Sequence, residues 1–207
     1  MKNLHLRIIR GNSKLGKIPN ISLPPGKTCI TECSFCYARK FYRWKNVKKV
    51  WDANYDLYLN DPERYFSDIS KYINYHNSKL FRFHVGGDII DQNYLFNMVD
   101  LAKKSSTIFT VYTKKFDLIE NLKETPSNLI ILLSASPNHL PSDCLTKNFR
   151  QAWISGLNDS NYNLILQQKE NLILCPAYKD NNIKITCEKC KICYNLNNKK
   201  DILFKLH

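Results

Sequence analysis

From residue 45 onward, short apolar runs alternate with longer stretches of helical periodicity. Val47, Val50, Trp51, Tyr55 and Tyr58 recur every three to four positions and predict a helix. Asp61-Pro62 reads as an N-cap with proline at the first helical position, opening a second helix whose apolar face carries Phe66, Ile69 and Ile73. Leu80 to Val85, L-F-R-F-H-V, predicts a strand with Phe81, Phe83 and Val85 on one side and Arg82 and His84 on the other. If helices cover the phenylalanine side, Arg82 and His84 point to an inner, barrel-like side. Asp91 predicts a cap for a helix with Leu95, Met98, Val99 and Ala102 as its stripe. Thr107 to Thr113 predicts a strand, and Asp117 caps a short helix. Leu129 to Ser136 predicts a buried strand ending in small polar residues, and Gln151 to Gly156 and Leu172 to Leu174 predict two more.

The N-terminal stretch is less regular. Asn3 to Ile9 alternates loosely and predicts a short strand. Gly11 to Ile18, G-N-S-K-L-G-K-I, has the outline of a phosphate-binding loop but lacks the final hydroxyl, and Pro19 follows where a helix should begin. The better reading is a glycine-hinged lead-in to a strand over Ile18 to Leu23, closed by Pro24-Pro25-Gly26. Strand and helix in alternation predict parallel βα units, hence an α/β fold and a partial parallel (β/α) barrel over residues 1–175. Residues 176–207 form a short cysteine-rich, metal-binding tail. No internal repeat or low-complexity linker interrupts the chain.

Composition changes this picture in two ways. With 43% hydrophobic and 12% aromatic residues, 207 residues suffice to bury one core. No apolar run is long enough to span a bilayer and no secretory h-region opens the chain, so a cytoplasmic protein with no membrane partner is expected. The formal charge is +13, from 31 Lys+Arg against 18 Asp+Glu. Such a field favours a polyanionic partner, nucleic acid above all; a solvated lysine-rich surface is the alternative.

In a cytoplasmic chain, eight cysteines suggest metal rather than disulfides. Cys29, Cys33 and Cys36 form C-x3-C-x2-C, with Phe35 just before the last. Three thiolates in one loop can hold three corners of a 4Fe–4S cluster and leave one iron open to another ligand. A zinc loop usually shows paired C-x2-C knuckles and a nearby fourth ligand, which this stretch lacks. Cys175, Cys187, Cys190 and Cys193 form a second set, C-x11-C-x2-C-x2-C, able to close a second 4Fe–4S cluster; zinc is the alternative.

The first loop resembles the signature of the radical SAM superfamily, including its aromatic residue. That resemblance implies that the open iron chelates S-adenosylmethionine and that one electron cleaves it to a 5′-deoxyadenosyl radical. It implies a 4Fe–4S cluster and S-adenosylmethionine as cofactors, and a reductase or flavodoxin-type electron donor as a partner. Gly86-Gly87-Asp88, after a strand, resembles the superfamily's G-G-E motif, which contacts the cofactor's amino group. Aspartate shortens the reach by one methylene. The four-cysteine set resembles the auxiliary-cluster tails of some superfamily members.

Across nearly the whole chain, G-N-S-K-L-G-K-I-P-N, L-P-P-G-K-T-C, C-Y-A-R-K, F-H-V-G-G-D, C-P-A and T-C-x2-C-x2-C resemble a narrower group, the small phage and prophage proteins of the gene product 88 family. This implies a bacterial or phage-infected setting and brings no substrate.

Lys114, Ser134 and Ser136, at predicted strand ends, are candidates for the cofactor's carboxylate and ribose hydroxyls. His84 is a candidate proton donor, and Cys144, outside both cysteine sets, a candidate hydrogen-atom donor. The expected function is reductive cleavage of S-adenosylmethionine to modify a nucleic acid, nucleotide or peptide. Two other readings compete: a metal-stapled nucleic-acid-binding phage protein, and an iron–sulfur enzyme of this fold that has lost the cleavage.

Overall fold

A computed structural model describes residues 5–30, 33–178 and 185–206. The chain opens with an antiparallel hairpin of β1 (Ile9–Asn12) and β2 (Gly16–Asn20). Gly11 and Gly16 hold its ends at φ of 76° and 71°, and a Cβ on Gly11 would lie 1.7 Å from the Gly16 carbonyl oxygen. The glycine-flanked stretch is therefore a turn, and no helix follows it. The strand expected from Asn3 begins only at Ile9; residues 1–4 lie outside the described residues.

Helices α1 (Tyr37–Tyr42), α2 (Lys45–Asn60) and α3 (Pro62–Tyr75) follow, then β3 (Leu80–Arg82), α4 (Gln92–Lys103), β4 (Ile108–Thr113), α5 (Phe116–Glu120) and β5 (Leu129–Ser134). The remainder is α6 (Asp143–Asn148), β6 (Arg150–Ser155), α7 (Ser160–Gln167), β7 (Leu172–Leu174), α8 (Cys187–Cys190) and β8 (Asp201–Lys205). Asp61 and Asp91 cap α3 and α4 through the backbone N–H groups of Arg64 and Tyr94, at 2.9 and 2.7 Å. Asp117 does not cap α5. Lys115 occupies that position, and Asp117 sits in the first turn.

The eight strands form one open sheet in the order β1-β2-β3-β4-β5-β6-β8-β7, parallel throughout except for β1. Side chains alternate cleanly between its faces. Phe81, Phe83, Phe109, Val111, Leu129, Ile131 and Leu133 face outward into the main core with Leu57, Tyr65, Phe66, Ile69, Tyr94 and Met98 of α2, α3 and α4. Trp153 and Leu203 of β6 and β8 face Tyr162 of α7. The inner face carries Leu80, Ile108, Tyr112, Ile130, Leu132, Ala152, Ile202 and Phe204. It is covered by the cysteine-rich segment, through Cys175, Ala177, Cys187, Ile192, Cys193 and Tyr194. That segment thus packs into the fold, and β8 beyond it enters the sheet between β6 and β7.

His84 departs from the expected alternation. Its φ of 53° breaks the strand geometry after Phe83 and turns the imidazole to the helix side. There Nε2 lies 3.0 Å from the Tyr94 hydroxyl, and the residue is 3% exposed. Of the pair expected on the inner face, Arg82 alone is there, its guanidinium 3.8 Å from the centre of the Tyr112 ring. Burial lowers the His84 pKa to about 3, helped by the positive charges of Arg82 and Lys115.

A group held neutral in the fold but basic when unfolded contributes stability above its unfolded pKa, near 6.5, and loses it as pH falls toward 3. The loss between pH 7 and pH 5 is on the order of 2 kcal/mol. His84→Asn keeps a residue that tolerates the positive φ. Its urea-unfolding free energy should fall less over that interval than the wild-type value; equal slopes would exclude His84 as the titrating group.

Candidate functional site

Sequence patterns put several chemical groups at the C-terminal ends of neighbouring parallel strands, and the fold brings them together. After β2 the chain stays in register with the end of β3: Leu23 N–H donates to the Gly86 carbonyl at 2.8 Å and Val85 N–H to the Ile21 carbonyl at 3.3 Å. The Pro24-Pro25-Gly26 turn then delivers Thr28 and the cysteine loop. The Thr28 hydroxyl donates to the Pro24 carbonyl at 3.1 Å and accepts from Asp88 N–H at 3.0 Å. Thr31 and Glu32 of the loop lie outside the described residues. Cys36 N–H donates to the Cys33 carbonyl at 3.1 Å, and the Tyr37 hydroxyl to the Val85 carbonyl at 2.5 Å. Phe35 is half-buried between Cys33 and Cys36.

The two glycines serve packing. A Cβ on Gly86 would stand 2.4 Å from the Trp51 ring; one on Gly87, at φ of 80°, would stand 2.6 Å from the Leu23 carbonyl oxygen. Their lack of side chains lets β3 close against α2 and the lead-in to Cys29. Asp88 has a similar inward duty. It is 5% exposed, and its two carboxylate oxygens accept from Ile89 N–H at 2.7 Å and Lys114 N–H at 2.9 Å. Burial raises its pKa; the Lys114 N–H, the Thr113 hydroxyl and the Ile89 N–H work against that rise.

Lys114 reaches across the strand ends. Its ammonium donates to the Ser134 carbonyl at 2.7 Å and the Ser136 hydroxyl at 2.8 Å, and the residue is 8% exposed. Burial lowers its pKa, opposed by the nearby Cys33, Asp88, Cys29 and Cys36. Burial in turn raises the Cys29 pKa; a hydrogen bond from the Gly26 backbone opposes this, while Asp88, Cys36 and Cys33 add to it. One cation, one carboxylate and three thiols therefore share an electrostatic neighbourhood. The expected residues Cys29, Cys33, Cys36, Asp88, Lys114, Ser134 and Ser136 meet here, with Ser134 acting through its backbone.

His84 and Cys144 do not join them. The first lies in the helix-side core, and the second is exposed on α6 in the outer layer. Two participants escaped the sequence reading: Thr28, and His139, whose Nε2 lies 2.6 Å from the Lys114 carbonyl while its ring stacks on Phe116. Neither belongs to a recognisable spacing.

None of the eight cysteines, all among the described residues, is in a disulfide. Among the described residues no three His, Cys, Asp or Glu side chains gather closely enough to hold a single metal ion. A cubic cluster asks for a different arrangement, with thiolates spread over the corners of a larger body. Three half-buried thiols outside any disulfide, within electrostatic reach of one another and of an ammonium, fit that donor set.

The Asp88 clamp is measurable. Asp88→Ala leaves the Ile89 and Lys114 N–H groups buried without acceptors and should lower unfolding stability by about 2–4 kcal/mol. Asp88→Asn keeps one acceptor oxygen and should lose less. Equal stabilities of both variants and wild type in urea titrations would remove Asp88 as the joint.

No helix among the described residues is long and apolar enough to cross a membrane. No curated protein and no solved structure matches the chain. The model of the family described as Gene product 88 matches residues 6–196, which span the hairpin, the strand-end site and all eight cysteines. The chain is therefore a member of the Gene product 88 family.

Proposed function

We propose that this protein is a radical SAM enzyme whose catalytic centre is the rim formed by Cys29, Cys33 and Cys36. The observation that carries the reading is the meeting of that cysteine triad with Asp88 and Lys114 at the C-terminal ends of β2, β3 and β4. Ligand sites in parallel βα sheets lie at such ends. When bound, a 4Fe–4S cluster on the three thiolates supplies the electron that cleaves S-adenosylmethionine to a 5′-deoxyadenosyl radical.

The chain's own residues then have definable tasks. Cys29, Cys33 and Cys36 would hold three irons and leave the fourth for the cofactor. Lys114 places a positive charge beside the thiolates and, with Ser136, presents donors suited to a carboxylate. Asp88 fixes the Lys114 backbone, so it acts as a positioning residue rather than as the direct ammonium acceptor its motif suggests. The +13 formal charge favours a nucleic acid or nucleotide over a peptide as the substrate. An electron donor of reductase or flavodoxin type is a required partner, and the working setting is the cytoplasm of a bacterial or phage-infected cell.

Anaerobically purified, iron-reconstituted chain given S-adenosylmethionine and dithionite should release 5′-deoxyadenosine, and Cys33→Ala should release none. Lys114→Met should retain its iron–sulfur spectrum but release product at least about tenfold more slowly. An iron–sulfur spectrum without 5′-deoxyadenosine, with or without added nucleic acid, would sink the proposal. Zinc in place of iron would instead favour a metal-stapled nucleic-acid-binding protein.

A further inference from the structure

The helix that follows the first cysteine loop carries aromatic rings on its outside. Cys36 is the N-cap of α1, so Tyr37 opens the helix one residue after the last cysteine of the triad. Phe41 stands one turn further on, and Trp44 follows at the joint between α1 and α2. The three are 39%, 42% and 61% exposed. Their rings touch in series. Tyr37 and Phe41 are 6.3 Å apart between centres with planes at 77°, and Phe41 and Trp44 are 5.1 Å apart at 86°.

Other residues of α1 secure it to the fold. Ala38 is buried, and the Tyr42 ring stacks on Trp51 of α2 at 5.9 Å and 19° while its hydroxyl donates to Asp52 at 2.6 Å. Trp51 in turn fills the space that Gly86 leaves. Tyr37 is tied by its hydroxyl to the Val85 carbonyl beyond the end of β3. The outer rings are therefore held beside the strand-end site. Trp44 occupies the N-cap of α2, where a small polar side chain serves a helix best, and its side chain makes no cap bond. A large ring that neither caps nor buries adds little to the fold, and exposed aromatic area of this kind marks a contact surface.

The flanking charges indicate the partner. From Tyr37 to Trp51 the chain carries Arg39, Lys40, Arg43, Lys45, Lys48 and Lys49 and no acidic residue. The next carboxylate, Asp52, is held by Lys27 and Lys48 at 3.0 and 2.7 Å. Lys40, Arg43 and Lys45 are exposed on the same short segment as the rings. Flat rings interleaved with cations suit a polymer of flat bases and phosphates. A duplex keeps its base faces stacked on one another, whereas an unpaired strand offers them to side chains. A perpendicular ring pair uses the edge of one ring and leaves that ring's faces for a base. Three rings around a six-residue helix are a small apolar area for a lipid surface, where binding scales with such area.

We infer that Tyr37, Phe41 and Trp44 form a stacking platform for the unpaired bases of a single-stranded nucleic acid, whose phosphates meet Lys40, Arg43 and Lys45. Phe41 and Trp44 take the bases, and Tyr37 fixes the platform beside the Cys36 end of the cysteine loop. Its role in presenting substrate to that rim rests on the radical SAM reading; its capture of bases does not.

The test uses the whole chain, anaerobically reconstituted, with neither S-adenosylmethionine nor reductant present. The probes are single-stranded DNA and RNA of about twelve nucleotides and a duplex of equal length. Of the three tryptophans, Trp51 and Trp153 are buried, so a bound strand reports through Trp44. Single strands should quench the tryptophan emission, and the duplex should leave it unchanged. In anisotropy titrations of labelled strands, Trp44→Ala and Phe41→Ala should each weaken single-strand binding about tenfold and leave duplex binding unchanged. Trp44→Phe should recover part of the loss, and all three variants should melt with the wild type. Should an alanine variant melt lower, Trp44→Phe and the wild-type quenching decide. Single-strand affinities that ignore both alanine changes, or wild-type emission that no strand alters, overturn the inference. Vesicle binding or self-association that Trp44→Ala removes, with single strands held as tightly as before, assigns the rings to a lipid surface or a second copy and overturns it too. A chain that binds single strands through Trp44 yet releases no 5′-deoxyadenosine would sink the SAM reading and leave the platform standing.

Discussion

One buried carboxylate joins the parts of this molecule that chemistry requires to be close. Asp88 sits at the end of β3, receives the N–H of Lys114 from the end of β4, and offers its own N–H to Thr28, the residue before Cys29. Three consecutive strand ends are thereby tied through a single residue in a region of low water content. In such a setting a hydrogen bond is stronger and an unmet partner more costly than at the surface. The glycines before Asp88 make the junction possible, because a Cβ at either would collide with Trp51 or with Leu23 and Thr28. Rigid placement of the Lys114 ammonium over the ends of β4 and β5 follows from this anchoring.

The outer half of the fold was legible because it obeys local rules. Asp61 and Asp91 cap the helices they were expected to cap, and the Phe81–Phe83 alternation buries both rings under the helices. Leu172 to Leu174 is a strand with those limits. Such features depend on spacing over a few residues, and spacing is visible in a sequence. The strand ends were legible for the same reason, which is why Lys114, Ser136 and the cysteine triad meet as expected.

What escaped depended on long-range partners. The φ of His84 reverses its direction, and nothing in F-H-V-G-G-D announces that reversal. Thr28 and His139 matter through bonds to residues far away in the chain. The strand at Asp201–Lys205 was missed because D-I-L-F-K is short and charged at both ends, and it is a strand through pairing with β6 and β7. The glycine-flanked turn looked like a hinge, since its role depends on a segment more than 170 positions later, where Glu188 meets Lys17. The inner face was expected to resemble the inside of a barrel; the protein instead covers it with its own cysteine-rich segment.

The place of β8 has a consequence for the order in which the molecule assembles. β7 precedes β8 in the chain yet pairs with β8 and not with β6, so the sheet has a gap until β8 arrives. The segment with Cys187, Cys190 and Cys193 lies between those two strands in sequence and on the inner face in space. During synthesis, β2 to β6 can form a ladder while the inner face and the β6 edge remain bare. Parallel pairing of this kind closes slowly, and a bare edge invites the strands of other chains. The final step therefore sets the last strand, the inner-face cover and four thiols in place together, and aggregation during expression should depend on how quickly that step is completed.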